Sequence, residues 1–436
     1  MTPFDIGAIA IGVLILLILI GMPIGISMLS VSLAGVALIR NETVAVRMMT
    51  QVANDSLEEY LFAVVPLFVL MGLLVTVSGV GKDTFDVFQK LLRRVTAGLG
   101  VATVFANAVF AAITGISIAS ATVFSRIAVP EMRRHGYTNR FATGVVAGSS
   151  VLGMLIPPSL LMIVYAVLAE QSVGRMFLAG IGPGLLLALA FIVTIFFLAS
   201  TRRTFVFERG DGAAYADIGL LDIVAKSVPI LSLMILVLGG LYRGYLNPTE
   251  AGAAGAFGAL VIAVLRRSLD RATFWRILVE TGQITVSVLF LILAATFFSR
   301  MLALSGVPRE LAEFFLSGNV GPYGFLVAYI LLIVALGCLI DSISIMLIVL
   351  PIALPVADAA QFDLVWFGVI TVIAVEIGLL TPPFGLSVYT IKSAMDDPGL
   401  KVGEIFGGAF PFVLAMLATL AVIVIAPSTA TWLARF

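Results

Sequence analysis

Two short stretches decide the fold: "GLLTPPFGL", Gly378–Leu386, and "GMLIPPSLL", Gly153–Leu161. Each sets two adjacent prolines behind a glycine, inside a run long and apolar enough to cross a bilayer. Proline lacks a backbone donor and clashes with the preceding turn, so each pair should unwind its helix at mid-depth. Carbonyls freed there are tolerated only if they are buried in protein or given a cation or solute to hold. A packing kink would account for one such motif; two at related positions point to presented backbone oxygen.

The surroundings of these motifs are those of an integral membrane protein. Of 436 residues, 61% are hydrophobic and 11% charged, far from the make-up of soluble domains. Apolar runs recur along the whole chain with no soluble-length polar segment between them, which leaves no room for a separate catalytic domain. The opening "MTPFDIGAIAIGVLILLILIGMPIG" lacks the basic start and small-residue cleavage site of a signal peptide and reads as a retained helix. Whether 5–39 is one tilted helix or two short ones broken near "GMPIG" stays open. The single cysteine, Cys338, and single histidine, His135, offer neither a disulfide nor a Cys/His metal cluster. With no GxxxxGK[ST], no GxSxG and no protease pairing, the chain is expected not to be an enzyme and to need no cofactor.

Basic residues orient the spans, because Lys and Arg beside membrane helices stay cytoplasmic. They cluster in 80–97 (Lys82, Lys90, Arg93, Arg94), 131–140 (Arg133, Arg134, Arg140), 201–226 (Arg202, Arg203, Arg209, Lys226) and 266–276 (Arg266, Arg267, Arg271, Arg276), with Lys392 and Lys401 further on. The first two clusters enclose a single apolar stretch, 98–130, which must enter and return on one side. Its tip is expected near "ITGISIASATV", 113–123. Crossings are then expected at 141–169, 176–200, 227–242, 250–265 and 277–300. The stretch 322–355, followed by the Lys- and Arg-free "VADAAQFD", forms a second hairpin opening the opposite way, before 363–391 and 405–427.

A shift of 225 residues lays Ser117 on Ser342, Pro130 on Pro355, Gly153 on Gly378, and Pro157-Pro158 on Pro382-Pro383. A weak repeat of opposite orientation with interrupted helices at matching places is the signature of a secondary transporter. The fold class is therefore an all-α, multi-span, inverted-repeat membrane protein with two re-entrant hairpins and two Pro-Pro-broken helices. Its expected division is 1–97 (scaffold helices), 98–200 (first transport half), 201–300 (scaffold helices and cytoplasmic loops) and 301–436 (second, inverted transport half with a C-terminal helix).

Within it, Asp341 at the second tip is a costly intramembrane acid that needs a partner. Ser342 and Ser344 beside it, and Ser117, Ser120 and Thr122 in the first tip, are hydroxyls of the kind that complete a hard-cation shell, or else small residues that pack helices. Glu376 is the other deep acid, either a proton or ion site or merely paired with a backbone donor. Arg126, five residues from the cytoplasmic loop, reads as a snorkelling side chain.

These residues resemble a family. The run "AVPEMRRHGYTNRFATGVVAGSSVLGMLIPPSLLMIVYAVLAEQSVGRMFLAGIGPG", with "GCLIDSISIMLIVLPIALP" and "EIGLLTPPFGLSVY", is similar to the large membrane subunit of tripartite ATP-independent periplasmic (TRAP) transporters. The resemblance covers essentially the whole chain. It implies a multi-pass protein of a bacterial or archaeal inner membrane, of elevator type, that takes up an organic acid such as a dicarboxylate or sialic acid on the sodium gradient. Implied partners are a small four-helix membrane subunit, expected as a separate chain, and a periplasmic substrate-binding protein; the alternative is a self-sufficient sodium- or proton-coupled anion symporter. Sodium-site positions carried over are Ser117, Ser120, Gly153, Pro157, Asp341, Ser342, Gly378, Thr381 and Pro382. Thr122, Ser150, Pro158, Ser159, Ser344, Glu376 and Pro383 are expected to serve substrate or gating.

Overall fold

The computed structural model describes residues 1–208, 219–317 and 320–435, and among them the regular secondary structure is helical, apart from one isolated bridge between Tyr137 and Phe207. Arg209 of the third basic cluster lies outside the described residues. Among the described residues, six helices are long and apolar enough to cross a membrane: Val173–Thr201, Leu221–Tyr242, Pro248–Leu265, Arg271–Ser305, Ser342–Ala359 and Val402–Ile425. Two bent pairs each add a span if read as one, namely Val64–Val77 with Val80–Leu92, and Asn139–Leu155 with Leu160–Leu168. The chain is thus a multi-pass membrane protein.

The N-terminal segment resolves into two helices, Pro3–Leu19 and Ile24–Ile39. Gly21 takes a left-handed φ of 95° between them, and Pro23 caps the second. Thr2 and Asp5 close a reciprocal capping box at the start, satisfying donors the first turn would otherwise leave free. The amphipathic helices Glu42–Glu58 and Val307–Ser317 have no counterpart in the expected crossings. Neither is apolar enough to read as a span, and Arg300 ties the first to the long helix Arg271–Ser305 through Asp55, 2.9 Å away.

Both expected hairpins are present as helix, tip and helix. The first runs Gly98–Thr114, Gly115-Ile116, Ser117–Arg134; the second runs Gly321–Gly337, 338–341, Ser342–Ala359. Both Pro-Pro motifs fall in gaps between helices. The first gap follows Leu152–Leu155 and precedes Leu160–Leu168; the second separates Leu364–Leu379 from Leu386–Met395.

The centre of the molecule is the helix Leu364–Leu379, buried without interruption from Val365 to Leu379. Polar side chains fasten its start to two other helices. The Tyr165 hydroxyl donates to the Leu364 carbonyl at 2.6 Å, and the Trp366 ring N–H donates to the Ile423 carbonyl at 2.8 Å. The helix bearing the second break is therefore anchored to the helix after the first break and to the C-terminal helix.

Candidate functional site

The first tip turns because Gly115 adopts a left-handed φ of 62°, which only glycine does without steric cost. Its N–H donates back to Ala111 at 3.1 Å, closing the first arm, and its carbonyl accepts the Leu160 N–H at 3.2 Å. The tip is thereby sewn to the first break. Added carbon at Gly115 would lie 2.4 Å from the Pro158 carbonyl oxygen. Gly153 abuts the same tip, an added carbon there lying 3.2 Å from the Ser117 Cα. Beyond the prolines, Ser159 caps the next helix by accepting the Met162 N–H at 3.3 Å, while its hydroxyl donates to the Met154 carbonyl at 2.6 Å across the gap. Pro157, Pro158 and Ser159 are all buried.

The second tip is built by different means. Asp341 caps the helix Ser342–Ala359, its carboxylate accepting the Ser344 N–H at 3.1 Å. The partner that this acid needs is thus a backbone amide, and the side chain stays exposed. Tip and break meet at paired glycines: an added carbon on Gly378 would sit 2.6 Å from the Gly337 Cα. Thr381 extends the last turn before the gap, its N–H donating to Gly378 at 2.9 Å and its hydroxyl to Ile377 at 2.7 Å. Pro382 and Pro383 are exposed, and Phe384 is 54% exposed.

Glu376 joins the two units. Its Oε1 accepts hydrogen bonds from the hydroxyls of Ser117, at 3.4 Å, and Ser342, at 3.5 Å. These serines are the first helical residues after the two tips, so both second arms begin at one carboxylate. Glu376 is 1% exposed and its Oε2 has no partner among the described residues. A buried carboxylate oxygen left unpaired is expensive, and a carboxylate flanked by two hydroxyls is the kind of donor set that suits a hard cation.

Several hydroxyls expected at the site bond only to their own helices: Thr122 donates to Ile118 at 2.9 Å and Ser150 to Ala147 at 2.9 Å. Ser120 bonds across to the other arm of its own hairpin. It donates to the Asn107 side-chain oxygen at 2.5 Å, and the Asn107 amide donates to the Ser149 hydroxyl at 2.6 Å. Asn107 and Ser149 are absent from the sequence-derived site, although a lone Asn in an apolar arm is the signal that would have found the first. Ser387, just past the second break, is also buried, and its hydroxyl has no partner among the described residues.

The assembly of helical hairpins closing on broken helices around buried polar groups is of the transporter class. The family follows from comparison with known proteins: residues 11–429 match the family described as "Tripartite ATP-independent periplasmic transporter, DctM component", and the chain belongs to it. It is 32% identical over 86% of its length, and 86% of the relative's, to the C4-dicarboxylate TRAP transporter large permease protein DctM of Pseudomonas aeruginosa. It is 30% identical over 94% of both chains to the sialic acid TRAP transporter large permease protein SiaM of Vibrio cholerae. Among solved structures, the YdaH transporter of Alcanivorax borkumensis, whose topology is described as unusual, aligns with a TM-score of 0.58 at 14% identity, covering 85% of this chain and 86% of that one. That likeness shows the fold.

Proposed function

We propose that this chain is the large membrane subunit of a three-part uptake system of the bacterial or archaeal inner membrane, carrying an organic acid inward on the sodium gradient. A periplasmic binding protein delivers the acid, and a separate small membrane subunit completes the membrane complex. The observation that carries the reading is the meeting of both tips at Glu376, within a family whose relatives bear the names of dicarboxylate and sialic acid permeases.

Sodium is the coupling cargo. One site draws on Ser117, Ser120 and the first break from Gly153 to Pro157; the other draws on Asp341, Ser342 and the second break from Gly378 through Thr381 to Pro382. The two tip-and-break units, in 98–200 and 301–436, form the moving body of an elevator against scaffold helices from 1–97 and 201–300, and their opposite orientation lets one body serve both faces. Thr122, Ser150, Pro158, Ser159, Ser344, Glu376 and Pro383 lie on the substrate or gating path.

The deciding experiment is uptake of a labelled carboxylate panel into proteoliposomes holding this chain and its small subunit, with an inward sodium gradient, with and without the binding protein. Uptake that requires both sodium and the binding protein supports the reading; uptake without the binding protein makes the chain a self-sufficient symporter.

A further inference from the structure

Arg126 stands about 12 Å short of the basic end of the helix Ser117–Arg134, given a rise of 1.5 Å per residue. Ile118, Thr122, Arg126 and Pro130 recur every four residues and therefore share one face. Of these, Ile118 is 39% exposed, Thr122 partly so, and Arg126 and Pro130 are exposed. Opposite the stripe lies the helix Leu386–Met395, which also presents Tyr389, 46% exposed, and Ser393. Arg126 bridges the two, its Nε–H donating to the Ala394 carbonyl at 3.2 Å. The exposed stripe and the exposed turn Pro382–Phe384 thus flank one helix, the turn at its start and Arg126 near its end.

An exposed guanidinium at that depth does not face hydrocarbon; charged side chains within the membrane line water-filled cavities or find protein partners. Among the described residues, the Ala394 carbonyl is the acceptor that Arg126 meets, and it engages Nε alone. The nearby acid Asp397 is held by Arg133 at 2.8 Å, and its carbonyl accepts from Lys392. Arg126 is therefore oriented at one edge of its fork while the two terminal amino groups and the charge are left for an outside ligand. That end-on pair matches a carboxylate with two parallel hydrogen bonds.

We infer that Arg126 receives the carboxylate of the transported acid in a water-filled cleft between the helices Ser117–Arg134 and Leu386–Met395. This rests on the carboxylate-uptake reading. It goes beyond it in naming the residue, the cleft and the bidentate mode, and it replaces the expectation of a snorkelling side chain.

The test uses the full chain with its small subunit in proteoliposomes, with the binding protein and the carboxylate panel. R126Q should lower uptake at least tenfold while leaving the sodium concentration for half-maximal rate unchanged; R126K, which keeps the charge but loses the fork, should fall between R126Q and the wild type. R126C should react with a membrane-impermeant thiol reagent supplied on the side of Arg133 and Arg134, and carboxylates that the wild type carries should slow that reaction. The labelling remains readable if R126Q folds poorly. Wild-type carboxylate uptake with unchanged rates in R126Q, or with an unreactive R126C, overturns this inference alone. A wild type that carries no carboxylate at all removes the uptake reading and this inference with it.

Discussion

The two tip-and-break units follow one order of elements, yet one is sealed and the other open. In the first, both prolines and Ser159 are buried and the tip is hydrogen-bonded to the break through Gly115 and Leu160. In the second, both prolines, Phe384 and Asp341 reach the surface. Each unit carries a polar bridge from its first arm to its inner helix, between residues 42 apart in sequence: Asn107 to Ser149 at 2.6 Å, and Tyr329 to Thr371 at 2.8 Å. Only Asn107 extends the bridge to the second arm, through Ser120. The lesson is that glycine and proline punctuation sets the framework while side-chain bonding sets which unit meets solvent. An exposed carboxylate belongs beside water rather than hydrocarbon, so the second unit is the one whose tip meets solvent.

The strongest way to break that comparison is to remove the residue on which both units converge. Glu376→Ala should lower uptake at least 100-fold, because both serines lose the one acceptor at which the two units meet. Glu376→Gln, which keeps one acceptor oxygen, should stay folded and fall between the two. Near wild-type uptake by the alanine variant in proteoliposomes would mean that the units do not work through this group.

Next in size are the contacts that lock tip to break. Gly378→Ala drives a methyl into the Gly337 backbone, and Gly115→Ala adds the strain of a left-handed backbone to a clash with Pro158. Each should cost about 1–3 kcal/mol, seen as a lower melting temperature of the detergent-solubilised protein. Wild-type melting of both variants would show that the tips are not held to the breaks as described.

The polar bridges sharpen the difference between the units. Asn107→Ala strands a buried Ser120 donor and removes a bond to Ser149, so it should destabilise by about 1–3 kcal/mol. Tyr329→Phe removes one hydroxyl from a Thr371 that still donates to Phe367 at 2.8 Å, and should cost about 0.5–1.5 kcal/mol. Equal losses on thermal or denaturant unfolding would erase the asymmetry.

The framework was legible because glycine, proline and serine punctuate an otherwise apolar chain. Basic clusters on both sides of 98–130 demanded a hairpin, and Gly115 turns where the small residues interrupt the pattern. What was not legible depends on contacts remote in sequence. Glu376 could be read as a deep acid, but its bond to Ser117 spans 259 residues. Asn107 is one letter in a long arm, and its meaning appears only when Ser120 and Ser149 are seen on either side. The helices Glu42–Glu58 and Val307–Ser317 escaped because a search for apolar spans passes over amphipathic segments. The contrast between buried Pro157-Pro158 and exposed Pro382-Pro383 escaped for a different reason: the two motifs read almost alike, and burial is set by what packs over them.

The smallest effect lies at the basic end of the hairpin arm, where the first hairpin meets the loop after the second break. Arg133 donates to Asp397 at 2.8 Å, and that bond, with the Gly399 N–H, holds the Asp397 carboxyl below its ordinary value of 3.8. A carboxylate whose pKa is depressed on folding contributes stability that is fully present above the unfolded value and lost as pH falls through the lower folded one. The pair is solvent-accessible, so its contribution is small and screened by salt. The melting difference between wild type and Arg133→Gln should therefore be constant from neutral pH down to the ordinary aspartate range, shrink on further acidification, and narrow in high salt. A difference that persists at the acid end would assign Arg133 a packing role and leave the two units joined there by shape rather than charge.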